Sequence, residues 1–133
     1  MSIQIDTRSP SYLGEYTIGD RYPFPYFILT ERKFNPTTLQ FEESQIDNAD
    51  YSSIKFCARS ITNTSSADDH SKDNIYSALT HDTGGVYHYE WGANDLKVGS
   101  YFVRIEMTRN DGKVVHSSFY FYTVINKMQT FQI

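Results

Sequence analysis

The sequence predicts an all-β domain, a sandwich of about seven or eight short antiparallel strands. Aromatic residues dominate the apolar content, with 11 Tyr and 9 Phe in 133 residues. Such side chains, like β-branched ones, suit a pleated, half-buried surface. Segments that alternate apolar with polar residues recur at short spacing, separated by Gly, Pro, Asn and Asp. No stretch of roughly ten residues carries a helical period. The length suits one domain with one core.

Residues 1–18 show little periodicity and are broken by Pro10 and Gly14, so an extended arm is expected there, with the sandwich over 19–133. Ile3, Ile5, Tyr12, Leu13 and Tyr16 are the side chains that would anchor such an arm on a neighbouring subunit. In "RYPFPYFILTER", Pro23 and Pro25 are two apart, which fits an edge strand where no donor is missed. "FNPTTLQFEESQIDNADY" reads as a loop opened by the turn pair Asn35-Pro36, with a short strand over 39–41. "SSIKFCAR" alternates, placing Ile54, Phe56 and Ala58 on one face and Lys55, Cys57 and Arg59 on the other.

Residues 61–74 are the most polar stretch and read as a surface loop. "IYSALT" is the next expected strand, and "HDTGG" a tight turn whose glycines can take positive φ. "VYHYEW" places Tyr87, Tyr89 and Trp91 on an inner face, opposite Val86, His88 and Glu90. "SYFVRIEMTR" is the cleanest strand, with Tyr101, Val103, Ile105 and Met107 opposing Phe102, Arg104, Glu106 and Thr108. Asp111-Gly112 marks a hairpin, "VVHSSFYFYTVI" returns antiparallel, and "MQTFQI" is a final strand.

Net charge is −4 with a pI near 5.5, which argues against nucleic acid as a partner because no basic face is available to neutralise phosphate. Cys57 is the one cysteine, so no internal disulfide forms, and a buried inert thiol assembled in a reducing cytoplasm is expected. Its place on the more polar face of the strand pulls against burial. Neither a signal-peptide pattern nor an apolar run long enough to span a bilayer is present, so a soluble protein with no membrane partner is expected.

Catalytic chemistry finds little support. His88 and Glu90 are placed to pair at the surface, but a general acid–base pair also needs a cleft and an orienting third group. Asp68, Asp69, His70 and Asp73 lack the alternation of a calcium loop and read as solvated. The four histidines are too far apart for a zinc pattern. No metal or cofactor is expected, and no enzyme. The alternative to a structural role is a carbohydrate-binding module stacking sugars on an exposed Tyr89 and Trp91, a reading that burial of those rings would defeat.

The motifs that run through "IGDRYPFPYFILTER", "SIKFCAR" and "TGGVYHYEWGANDLKVGSYFVRIEMTRNDGKVV" resemble the Ig-like N-terminal domain of phage baseplate upper proteins and related tail and fibre modules. Gly19 and Asp20 match the opening of that pattern and Ala58-Arg59 its second element. Gly85, Val86, Tyr89 and Trp91 match the third, then Asp95-Leu96, Gly99 and Tyr101, and finally the Asp111-Gly112 hairpin. The segment after the first strand departs from the family in lacking its usual Asp-Leu-Thr-Gly turn. The resemblance implies an Ig-like sandwich and a bacteriophage virion module, in a tail or baseplate, collar or capsid fibre. Such a module would be assembled in the host cytoplasm and joined to other virion proteins and to copies of itself. Tyr87, Tyr89, Trp91, Tyr101, Val103 and Ile105 would then be core residues, and Gly85, Gly99, Asp111 and Gly112 turn residues.

Overall fold

The computed structural model describes the backbone of residues 3–5 and the whole of residues 12–63 and 69–126. Among the described residues eleven strands are formed: β1 (Ile3–Ile5), β2 (Tyr12–Thr17), β3 (Tyr26–Asn35), β4 (Gln40–Gln45), β5 (Tyr51–Ser60), β6 (Ile75–Ala78), β7 (Thr80–Thr83), β8 (Val86–His88), β9 (Gly99–Arg109), β10 (Val114–His116) and β11 (Tyr120–Ile125). They make two sheets. The five-stranded sheet runs β1-β3-β8-β7, with β4 also on β3; the six-stranded sheet runs β2-β11-β9-β5-β6, with β10 also on β9. All pairings are antiparallel except β2 with β11. The chain thus starts in one sheet and crosses to lie parallel to the last described strand of the other, the order of a variable-type immunoglobulin sandwich. The Tyr101 hydroxyl, near the start of β9, donates to the Lys97 carbonyl at 2.6 Å, the tyrosine corner of that fold.

Period-two alternation sorts the two faces of the six-stranded sheet. Tyr101, Val103, Ile105 and Met107 of β9, Ile54, Phe56 and Ala58 of β5, and Tyr120, Tyr122 and Val124 of β11 are buried between the sheets. The core is aromatic. Phe56 stacks face to face on Tyr89 at 4.4 Å, and Trp91 meets Tyr16, Tyr89, Phe56 and Tyr122 edge-on at 5.1 to 5.7 Å. Edge-to-face and offset pairs are the favoured geometries for aromatic quadrupoles. The indole nitrogen of Trp91 donates to the Pro23 carbonyl at 2.9 Å, so its one polar atom is satisfied.

Several expectations are corrected. Residues 12–17 are not an arm but strand β2, held to β11 in the same chain, and Tyr16 lies in the core at 4% exposure. Ile3–Ile5 pairs with Leu29–Glu31 of the same chain rather than with a neighbouring subunit. Backbone pairing, available to any sequence, builds both strands, so side-chain periodicity does not reveal them. The strand count rises to eleven partly for this reason. "IYSALT" also divides, because the chain leaves one sheet at Leu79 and enters the other at Thr80. "VVHSSFYFYTVI" is broken where Ser117 takes both backbone hydrogen bonds of Ile105, one of them through its hydroxyl.

The "HDTGG" turn is likewise mostly strand β7, and only Gly84 and Gly85 turn the chain. A Cβ on Gly85 would stand 2.7 Å from the Leu29 carbonyl oxygen, so close backbone approach requires glycine there. Gly99 opens β9, and Gly112 turns the β9–β10 hairpin at φ +89, where the Asp111 carboxylate accepts from the Lys113 amide. Pro23 and Pro25 precede β3 rather than lying in it. β4 is six residues long instead of three. The expected final strand "MQTFQI" lies outside the described residues. No described helix is long and apolar enough to cross a membrane.

Candidate functional site

β8 ends at His88, so Tyr89 and Trp91 lie just past the strand, yet they continue its inward alternation with Tyr87. Their exposures of 1% (Tyr87), 6% (Tyr89) and 1% (Trp91) remove them as a sugar-stacking platform. An exposed aromatic row lies elsewhere, on the outer face of the six-stranded sheet.

Cross-strand register lays that face out as a grid. Tyr12 of β2, Phe121 of β11, Phe102 of β9 and Arg59 of β5 are successive neighbours. The next row holds Arg104, Cys57 and Tyr76, and the one after it His116, Glu106 and Lys55. Tyr12 packs on Phe121 at 4.8 Å, Phe102 meets Phe119 at 6.0 Å, and the Arg104 guanidinium lies over the Phe119 ring at 5.5 Å. All four rings are well exposed. Between Phe102, Phe119, Arg104 and Cys57 opens a cavity of about 220 Å³, walled on its other side by Arg59 and His70.

The polar wall is a closed network. The loop before β6 is pinned by the Asn74 amide donating to the Ala58 carbonyl and by the Asn74 side chain accepting from the Ser60 amide. This sets the His70 ring flat on Tyr76 at 3.9 Å. Nδ1 of His70 bonds Asp73 at 2.8 Å and Nε2 bonds Glu106 at 2.7 Å. The same Asp73 takes Arg59 at 2.6 Å, and Glu106 also accepts from Tyr76 at 2.6 Å and contacts His116 at 3.3 Å. Burial works against the charged ring of His70, but the hydrogen bonds to Asp73 and Glu106 outweigh it and hold its pKa above the ordinary value. Burial likewise raises Glu106, yet Tyr76, His70 and His116 bring it below the usual carboxylate range. The solvated loop expected here is in part packed: the Asp73 side chain is 1% exposed and His70 is half-buried, while Ser71 and Lys72 remain exposed. Asp68 lies outside the described residues.

Cys57, His70 and Asp73 each bring a ligand-type atom within 4.8 Å of the others. The set superficially suggests a nucleophile–base–acid relay or a metal site. The pairings in place work against both. Both nitrogens of His70 are engaged by carboxylates, leaving none to take a proton from the thiol or to face an ion, and Arg59 already neutralises Asp73. The thiol itself is only partly buried, on the outer face, but desolvation, then Glu106 and Asp73, push its pKa up to about 12.

His88, expected on a solvated face, is 7% exposed. Its Nε2 bonds Glu90 at 2.9 Å, Asp82 bonds Nδ1 at 2.7 Å, and Phe24 and Tyr26 cover the ring. Its pKa is raised, by Asp82 first and against a burial effect of opposite sign. On the inner face of β3, Glu31 is fully buried, accepting from the Tyr51 hydroxyl and pairing with Lys33 at 2.8 Å. Nothing in the spacing of residues singles out Glu31. Compared with protein-family models, with curated proteins and with solved structures, the chain matches none.

Sequence reasoning passed over the outer-face aromatics, although a signal existed. Phe102 and Phe121 stand in the outward register of their strands, where a polar residue is the norm for a solvated sheet face.

Proposed function

We propose that the chain is a non-enzymatic assembly module of a bacteriophage particle, docking through the outer face of its six-stranded sheet. The observation that carries this reading is the contiguous exposed row Tyr12, Phe121, Phe102 and Phe119. Exposed apolar patches rimmed by polar groups mark contact surfaces, and aromatic residues with arginine are enriched at the centres of such interfaces. The sequence resemblance to phage tail modules supplies the virion setting. Self-association in a symmetric array and contact with other virion proteins both belong to this reading. Catalysis does not, since His70 and His88, the two most tightly held histidines, each have both ring nitrogens occupied.

The test is a paired Phe102→Glu, Phe119→Glu variant in the phage that encodes the chain. Both side chains are solvent-facing, so the fold survives while the patch acquires charge. Mass spectrometry of purified particles is expected to find the wild-type chain at a fixed stoichiometry and the variant depleted. A wild-type chain absent from particles sinks the reading.

A further inference from the structure

Building on the assembly reading, we propose that the cavity beside Arg104 receives an acidic side chain of the docked protein, its carboxylate bound by the Arg104 guanidinium.

The charges around the cavity do not cancel. Asp73 and Glu106 are taken up by Arg59, His70, Tyr76 and His116. Arg104 is left with a cation–π contact to Phe119 and, among the described residues, neither a hydrogen bond nor an ion pair. It is half-buried, so its charge is incompletely solvated and its five donors are unspent. Lys55, whose ammonium lies over the Tyr76 ring at 4.5 Å, adds a second cation to the same face. The chain as a whole carries −4, so this face is a local exception, and an acidic partner would be steered to it and away from the rest.

Size and chemistry narrow the occupant. A volume of about 220 Å³ lies below the roughly 300–1,000 Å³ of sites for drug-sized molecules and suits one side chain. A sugar ring would need several unspent polar groups to meet its hydroxyls. Here the polar lining is already engaged: Ser60 with Thr62, Asn63 with the Lys72 carbonyl, Arg59 and His70 with Asp73. Among the described residues, the Arg104 guanidinium over the Phe119 ring offers a charged anchor in apolar surroundings. That is the anatomy of a hot spot in a protein–protein interface. Arginine also holds a carboxylate by two parallel hydrogen bonds, which fixes direction as well as charge.

The test uses 3-phenylpropionate as a carboxylate probe, 3-phenylpropionamide as its neutral isostere and glucuronate as the sugar acid, followed by NMR titration of the purified chain. The acid is expected to move the Arg104 side-chain resonance and the signals of Phe102 and Phe119, and to bind about tenfold more tightly than the amide, as a charge-assisted hydrogen bond requires. Arg104→Gln should abolish that preference while resonances of the core stay in place. Equal binding of acid and amide, no binding of either, or a preference that survives in the variant would each overturn the proposal. Tighter binding of glucuronate than of phenylpropionate would overturn it in favour of a glycan. A chain that enters particles through Phe102 and Phe119 yet ignores all three probes would leave the assembly reading standing and remove this one alone.

Discussion

His70 reaches across 36 positions of sequence to bond Glu106 at 2.7 Å, while its other nitrogen bonds Asp73. A doubly bonded ring of this kind is stable as the imidazolium, and the folded pKa of His70 lies above 6.5 for that reason. Its contribution to stability is therefore fully present below 6.5 and is lost as the pH rises through the raised folded value. Glu106, whose folded pKa lies below 4.5, contributes above that value and loses the contribution as the pH falls through its depressed one. The pair is strongest between the two limits. Urea unfolding across this range should show stability falling on the alkaline side, and His70→Gln should flatten the fall. His88, raised in the same direction, supplies the slope that remains.

Cys57 should be slow to react in the native protein. With its pKa near 12, the thiolate population at pH 8 is on the order of a thousandfold below that of a free thiol near 8.5. Labelling with a thiol reagent should be slow in buffer and fast in denaturant. Equal rates in both would show an activated cysteine instead.

Trp91 is the one tryptophan and is 1% exposed among four rings. Its emission should be blue-shifted and poorly quenched by acrylamide. Trp91→Ala should cost about 3–5 kcal/mol, because the ring leaves both lost burial and a cavity.

The Tyr122 hydroxyl is buried without a hydrogen-bond partner among the described residues. Desolvation pushes its pKa well above the usual tyrosine value. Tyr122→Phe removes an unsatisfied polar atom and keeps the ring's contacts with Trp91 and Tyr101. Thermal unfolding should find the variant unchanged or more stable by up to about 1 kcal/mol.

The parts of the fold that sequence revealed are those decided locally. β9 alternates strictly over Val103–Met107, and Asn110-Asp111-Gly112 is a turn on composition alone. β2 was hidden because only Tyr16 of its six residues is buried and its partner strand lies more than a hundred residues away. The candidate site was hidden for a related reason. Cys57, His70, Tyr76 and Glu106 come from three strands and a loop, and only the β5–β9 and β5–β6 registers bring them together. No spacing along the chain encodes such a register. Phe102, by contrast, stood in plain view as an aromatic in a polar position.

The tyrosine corner has a consequence for recognition. Tyr101 fastens the start of β9, and its neighbour on the opposite face is Phe102. A strand anchored there and flanked by β5 and β11 holds the backbone that carries Phe102 and Arg104 in one arrangement before any partner arrives. Backbone freedom that a mobile loop would surrender on binding, roughly 1–2 kcal/mol for each residue fixed, is already lost in folding. A complex formed on this face should consequently owe its lifetime to rigidity in the free protein, and loosening the corner would shorten that lifetime without touching a single contact.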